Sequence, residues 1–241
     1  MKKSLFRRLL KRFYPRYALE QYRYRSHFEA RRLNIDWTVT HFNRIAIVNL
    51  LLARRPDGNY LEIGCAGNGM FDSVIAKHKI GVDPEIGGTI RLTSDEFFRH
   101  DDGTRYDVIF IDGLHIYEQV RRDVINALSR LTKDGWIALH DMLPRDWLEE
   151  HIPRISEDWT GDVWKVAFEL SQSADIDFRI IKVDMGVGVL RPLREGAHLL
   201  DLRQTLADKR FPYFYDHVMT LPLLDYAAGR EWIEQALGQR S

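Results

Sequence analysis

Four side chains in the middle of the chain have types and spacing that could do chemistry together: Asp112, His115, His140 and Asp141. Asp112 closes the apolar run Val108 to Ile111, and Asp141 follows the run Trp136 to Leu139. Short continuous apolar runs suit parallel strands covered on both faces. If those two strands are neighbours, their tips lie about 5 Å apart. Two carboxylates so close repel unless something positive sits between them. A divalent cation with oxygen ligands, Mg²⁺ above all, answers that need, with Asp112 and Asp141 as its ligands. Such a cation binds a hydroxyl and lowers its pKa. His115, three residues after Asp112, stands as general base. The same residues also have ordinary structural roles open to them. Asp112 could cap a helix, His115 could bond a loop backbone, and His140-Asp141 could be a strand-end turn.

A second group lies upstream. Tyr60-Leu61-Glu62-Ile63 reads as a buried strand that runs into the glycine-containing turn Gly64-Cys65-Ala66-Gly67-Asn68-Gly69. Lys79 to Val82 reads as the next strand, ending at Asp83-Pro84. An acid at that tip can accept both ribose hydroxyls of a nucleoside, while the bare turn lets the ligand approach closely. Cys65 is expected as a small buried filler.

Other elements must position these groups. Asn34 to Arg55 reads as a helix with Asp36 as its cap, stopped by Pro56-Asp57-Gly58. Phe71 to Lys77 is predicted helical and Thr89 to Leu92 a brief strand. A helical stretch opens at Ser94 or Asp95 as N-cap. Tyr117 to Leu131 is the clearest helix, with Val120, Val124, Ala127, Leu128 and Leu131 on its buried face. Asp134-Gly135 turns the chain into the run at Trp136. Pro144 to Trp159 reads as an irregular cover, and Asp162 to Leu170 as helix. Asp177 to Val183 and Val187 to Arg191 form a hairpin. A last helix is expected near Arg230 to Leu237. Alternating strands and helices at these spacings imply right-handed crossovers in a parallel sheet. The division is a basic arm at 1–33, a domain at 34–193 and a helical extension at 194–241.

Charge is unevenly spread. Eleven Lys and Arg crowd residues 1–33 against Glu20 and Glu29, so the remainder of this overall neutral chain is net acidic. That balance gives no general case for nucleic-acid binding. Phe6, Leu10, Phe13 and Tyr17 fall on helical spacing opposite the basic residues, although Pro15 interrupts them. The arm therefore suits either peripheral contact with an anionic membrane or docking on its own domain or on a sister subunit in a homo-oligomer. One cysteine excludes an internal disulfide and suits a reducing compartment. No run approaches the roughly 20 apolar residues of a membrane span. The expected location is cytoplasmic.

With these pieces placed, the chain resembles the class I methyltransferases that use S-adenosylmethionine. It looks closest to a bacterial branch associated with sugar or cell-surface biosynthesis clusters. The likeness is carried by Tyr60 to Cys65 with Asn68 and Phe71-Asp72, and by Gly81-Val82-Asp83-Pro84. It continues through Gly87-Gly88-Thr89, Thr93 to Phe98, Phe110 to His115, Tyr117 to Val120, Leu139 to Pro144, Gly161 to Lys165 and Gly186 to Val189. It implies a doubly wound, mostly parallel seven-stranded Rossmann-like sheet with an antiparallel last strand. It also implies a cofactor site of Glu62, Gly64, Cys65, Asn68, Asp83, Ser94, Asp95 and Asp112, with Asp83 at the ribose and Asp112 at the reacting end. Asp-x-x-His at 112–115 also resembles metal-dependent macrolide sugar O-methyltransferases, in which such a histidine is the proposed base. Those relatives carry an acid where this chain has His140, so the resemblance adds His140 to Asp112 and Asp141 as a metal ligand, one that suits Mn²⁺ or Zn²⁺ better than Mg²⁺. The glycines at 64, 67 and 69 depart from the common acid-x-Gly-x-Gly-x-Gly spacing, so the inner turn must differ in shape.

The reading that follows is O-methylation of a sugar or glycosylated small molecule, with Mg²⁺ or Mn²⁺ assisting. Two others stand beside it. A dinucleotide oxidoreductase would also use the glycine turn and Asp83 for NAD, although the Asp112/Asp141 pair and terminal hairpin count against it. A non-catalytic adaptor would keep the fold and use its arm to bind a membrane or partner.

Overall fold

The computed structural model describes residues 17–55, 57–100 and 102–238. Its centre is a seven-stranded sheet of β1 (Asn59–Ile63), β2 (His78–Val82), β3 (Tyr106–Ile111), β4 (Leu131–Leu139), β5 (Ile176–Ile181), β6 (Val187–Pro192) and β7 (Leu223–Leu224). The spatial order is β2-β1-β3-β4-β6-β5-β7. β1 pairs in parallel with β2 and β3, and β3 with β4. β6 is antiparallel to both β4 and β5, while β7 runs parallel to β5. The expected reversed strand is therefore present, but it lies inside the sheet. The edge belongs instead to β7, from the C-terminal extension. Thr89 to Leu92, expected as a strand, contributes a single bridge between Val82 and Ile90.

Ten helices accompany the sheet among the described residues: α1 (Ala18–Arg23), α2 (Arg44–Leu52), α3 (Gly69–Ser73), α4 (Ser94–Arg99), α5 (Tyr117–Ser129), α6 (Trp147–Glu150), α7 (Trp164–Gln172), α8 (Arg203–Leu206), α9 (Phe211–His217) and α10 (Tyr226–Gly238). Alternate strand residues feed two cores, as a pleated sheet requires. Leu61, Ile63, Ile109, Ile111, Ile137 and Leu139 meet Val120, Val124 and Ala127 of α5 and the α7 side chains. Tyr60, Val108, Phe110, Trp136 and Ala138 face the opposite way, onto Ile47, Val48 and Leu51 of α2 and Ile233 of α10. Both faces are covered, which explains why β3 reads as six buried residues in a row.

Two helix starts differ from expectation. α2 begins ten residues late because Asn43, whose side chain accepts from the Ile45 amide at 3.0 Å, is its cap. Asp36 caps only the short turn Trp37–Val39. α4 is capped by Thr93, not by Ser94 or Asp95. The Glu96 amide donates to Thr93 Oγ1, and the Glu96 carboxylate accepts the Thr93 amide at 2.9 Å. That reciprocal pair is a capping box, and it fixes the start one residue earlier. Asp134-Gly135 lies inside the irregular beginning of β4, where the pairing with β3 shifts register.

Residues 17–33 lie along the segment 145–155. The Leu33 amide donates to the Arg145 carbonyl at 2.8 Å, Gln21 Nε2 to the Ile155 carbonyl at 2.9 Å, and the Phe28 ring meets Trp147 edge-on. The rest of the basic arm, 1–16, lies outside the described residues.

Candidate active site

The carboxyl ends of β2, β1, β3 and β4 are laced in succession. Gly64 N donates to Val82 O at 2.9 Å, Asp112 N to Ile63 O at 2.8 Å, and His140 N to Ile111 O at 3.1 Å. Asp83, Gly64, Asp112 and Asp141 thereby share one edge, where ligands of open α/β sheets bind.

The turn after β1 is built around Asp83. Its Oδ2 accepts the amides of Cys65 at 3.0 Å and Ala66 at 2.9 Å, and its Oδ1 those of Glu85 at 2.8 Å and Ile86 at 2.9 Å. Burial works against the charge, yet the four amides outweigh it and hold the pKa below the usual carboxylate range. A ribose reaching Asp83 would share oxygens that already hold two turns together. Asn68 accepts the Gly88 amide at 2.6 Å and ties the same two turns. Gly64 sits at φ +86°, and a Cβ there would lie 2.2 Å from the Asp112 carbonyl oxygen, so no other residue fits. Gly67 and Gly69 have nothing within 4 Å of a Cβ position and face open space.

Glu62 is fully buried on β1. Tyr60 donates to its Oε2 at 2.6 Å, Oε1 has no partner, and burial pushes its pKa up to about 7. An orphaned buried carboxyl oxygen beside the turn fits a cationic group of a ligand. The Cys65 thiol, pushed up to about 12 by burial, is inert filler. Ser94 and Asp95 lie on the first turn of α4, where Gln119 Nε2 donates to Ser94 Oγ at 3.0 Å and Asp95 Oδ1 at 3.2 Å.

Asp112, His115, His140 and Asp141 do come together. His115 Nε2 is 3.3 Å from Asp112 Oδ1, and its Nδ1 is 3.1 Å from Asp141 Oδ2. His140 Nδ1 lies 3.4 Å from Asp112 Oδ1 and 3.1 Å from Asp141 Oδ1. Asp141 is 3% exposed, with φ at +62°, a left-handed conformation that turns its carboxylate back to the strand tips. On Asp112, His115 and His140 burial opposes charge, but the mutual attraction wins. Asp112 is held well below the ordinary carboxylate range by His140 and His115, and both imidazoles are raised by the two carboxylates.

One donor atom each from Asp112, His115 and Asp141 lie within 4.8 Å of one another, and Asp141 Oδ1 is buried with no hydrogen-bond partner. That donor set fits a divalent cation. His140 is outside this triplet. Its Nε2 turns to Arg44 Nη1 at 3.3 Å and to Asp184 Oδ1 at 3.6 Å.

Three contributors were not visible in the residue spacing. Arg44, at the start of α2, bonds Asp184 at 2.7 Å and lies 3.9 Å from Asp112. Asp184, read only as part of a turn, stands at φ +47° on the β5–β6 hairpin. Trp159, from the irregular cover, stacks on His115 with ring centres 5.0 Å apart. Only the strained turn Asp184-Met185-Gly186 left a sequence signal, and that signal named a bend.

Residues 61–142 match a family profile described as a methyltransferase domain. The match spans the glycine turn, Asp83, Asp112, His115 and both residues after β4. The match covers 82 of the 241 residues, and with the sheet order it supports a class I methyltransferase reading. No curated protein matches the sequence. Solved structures similar to this chain include the O-methyltransferase TomG from Streptomyces achromogenes, in complex with SAM, at 12% identity, 61% of this chain, 78% of that one and TM-score 0.44. The Podospora anserina methyltransferase PaMTH1, bound to SAH, is 16% identical over 65% of this chain and 84% of its own, with TM-score 0.44. MycE, from the mycinamycin biosynthetic pathway, in complex with Mg, SAH and mycinamycin VI, is 17% identical over 60% of this chain and 48% of its own, with TM-score 0.40.

Proposed function

We propose that this methyltransferase moves the methyl group of S-adenosylmethionine onto a hydroxyl of a sugar or glycosylated small molecule. The observation that supports the oxygen acceptor is His115, an imidazole set between Asp112 and Asp141 at the strand tips. The hydroxyl proton passes to His115 as the oxygen attacks the methyl carbon. The carbon–sulfur bond breaks, and its electron pair neutralises the sulfonium. Asp112 and Asp141 stabilise the imidazolium. Glu62, Gly64, Cys65, Asn68, Asp83, Ser94 and Asp95 line the edge assigned to the cofactor, with the orphaned Glu62 oxygen suited to its ammonium. Holding acceptor and sulfonium in line supplies much of the rate.

Asp112 and Asp141 would hold Mg²⁺ or Mn²⁺, with His140 as the nitrogen donor when His115 is the base. Such a cation, when bound, supplies Lewis acidity that lowers the hydroxyl pKa. EDTA should then abolish turnover and added Mg²⁺ or Mn²⁺ restore it. An unchanged rate removes the metal from the reading. No helix among the described residues is long and apolar enough to cross a membrane. We assign the protein to the cytoplasm, with the basic arm meeting an anionic membrane surface or a second copy of the chain.

The deciding experiment is thermal denaturation with S-adenosylhomocysteine and, separately, NADH. At about 100 times its Kd a ligand adds about 2.7 kcal/mol, or about 5–10 °C in Tm for a chain of this size. S-adenosylhomocysteine should give that shift and NADH none. Transfer of labelled methyl groups to a panel of glycosides then tests the acceptor class. A folded protein that binds no S-adenosylhomocysteine would overturn the proposal.

A further inference from the structure

His140 and Asp141 are consecutive, and along a plain strand consecutive side chains leave on opposite faces. Yet His140 Nδ1 and Asp141 Oδ1 lie 3.1 Å apart. The pairing of β4 with β6 explains how. Leu139 stands opposite Gly188. Beyond it, Met142 N donates to Gly186 O at 3.1 Å and Leu143 N to Met185 O at 2.9 Å. Between those points the β4 side passes through His140 and Asp141, while the β6 side passes through Val187 alone. An extra residue on one side of an antiparallel pair is a bulge, which bends the strand and re-aims a side chain. Asp141, at φ +62°, is its left-handed residue.

A left-handed aspartate costs energy and persists only where its surroundings hold it. Two supports meet here. At the tip of the β5–β6 hairpin, Asp184, Met185 and Gly186 are left-handed in succession, at φ +47°, +60° and +88°. That run brings the Met185 and Gly186 carbonyls round to the two amides that directly follow Asp141. The approach is close: a Cβ on Gly186 would lie 2.9 Å from the Leu143 amide nitrogen and 2.6 Å from its Cγ. The second support is Arg44, the first residue of α2. Asp184 Oδ2 accepts both the Arg44 backbone amide at 3.2 Å and its Nη1 at 2.7 Å. One carboxylate oxygen thereby ties the hairpin tip to α2. The same Nη1 lies 3.3 Å from His140 Nε2, so the latch also touches the other residue of the bulge.

We infer that the hairpin tip is the template for the bulge at Asp141, and that Arg44 and Asp184 are positioning residues that hold it there. The Asp141 carboxylate is thereby kept against His115, with Oδ2 3.1 Å from Nδ1. The part this plays in methyl transfer rests on His115 being the base of the proposed reaction. Without the latch, β4 runs on in plain register. Residue 141 relaxes to extended backbone, and its side chain turns to the face of Leu139, away from His140.

The test is crystallography of the full chain in four forms: wild type, Arg44→Met, Asp184→Gly and Asp184→Asn. Glycine takes the left-handed turn without strain but has no carboxylate, so Asp184→Gly removes the latch and spares the tip. Asparagine tolerates the same turn and keeps an oxygen for the Arg44 amide. The wild type and Asp184→Asn should show the left-handed Asp141 beside His115. In Arg44→Met and Asp184→Gly, residue 141 should leave the left-handed region and its carboxylate should move out of hydrogen-bond reach of His115. Circular dichroism checks folding, and Asp184→Gly keeps the test open should Arg44→Met fail to fold. For a variant that does not crystallise, the three-bond amide–Hα coupling of residue 141 reads the same turn in solution. Residue 141 unmoved in a folded Arg44→Met or Asp184→Gly would overturn the inference, as would Asp184→Asn moving it as far as glycine does. Neither readout uses cofactor or acceptor. Failure here leaves methyl transfer standing, and failure to bind S-adenosylhomocysteine leaves the result on the bulge intact.

Discussion

Asp112 and Asp141 can share one strand edge because two imidazoles lie among them. Removing His115 takes away the proposed proton acceptor and one of those positive partners. His115→Asn should lower kcat by about 10²–10⁴-fold, the usual worth of general base catalysis, while S-adenosylhomocysteine binding measured by calorimetry stays intact. Equal losses in both would make the residue a support for the cofactor. Glu62 offers a test without any acceptor. Burial raises its pKa from 4.5 to about 7, so its proton is held more tightly in the folded state. Its contribution is fully present below pH 4.5 and is lost as pH rises through about 7. At about 1.4 kcal/mol per pH unit, the change is at most about 3 kcal/mol. Cofactor-free Glu62→Gln should be more stable than wild type at pH 8, and the gain should vanish near pH 4, as urea unfolding at the two values would show. Asp112, His115 and Asp141 could be read from the sequence because each follows an apolar run whose end sets its height on the sheet. Arg44, Asp184 and Trp159 could not. Their roles come from packing between segments that no local pattern connects.

At the scale of elements, the sheet strands were legible where both faces are buried, since continuous apolar runs leave little choice. Helix starts were less so. Asp36 and Ser94 have the chemistry of caps, but Asn43 and Thr93 have the chain geometry, and geometry decides which side-chain oxygen meets an N2 or N3 amide. Thr93→Ala removes the side-chain half of the α4 capping box, the oxygen that accepts the Glu96 amide, and should cost about 1 kcal/mol, measured as a lower urea midpoint with an unchanged m-value. The edge strand β7 was invisible: two residues, Leu223 and Leu224, carry no alternation to read, and they pair only because β5 leaves its edge open.

At the scale of the molecule, charge separates strongly. The first 33 residues hold eleven basic side chains against two acids, and the rest hold 24 against 33. Exposed Leu19 and Tyr22 lie one turn apart on α1, with Arg23 beside them. Each basic residue near an anionic bilayer contributes about 1 kcal/mol, and salt screens that attraction. Co-sedimentation with phosphatidylserine vesicles should therefore be strong at low salt, fall as salt rises, and be absent with phosphatidylcholine. Binding indifferent to lipid charge would leave the arm to its own domain.

The bond between Arg44 and Asp184 joins residues 140 positions apart, and this has a consequence for biosynthesis. At 5–20 residues per second, a ribosome takes about 7–28 s to travel from one to the other. By the end of that interval the nascent chain already holds Asp83, Asp112 and Asp141, while Arg44 still waits for Asp184. Arrest of translation before codon 184 should thus yield chains whose early helix is loosely seated and readily cut by protease, with resistance appearing once the hairpin has emerged.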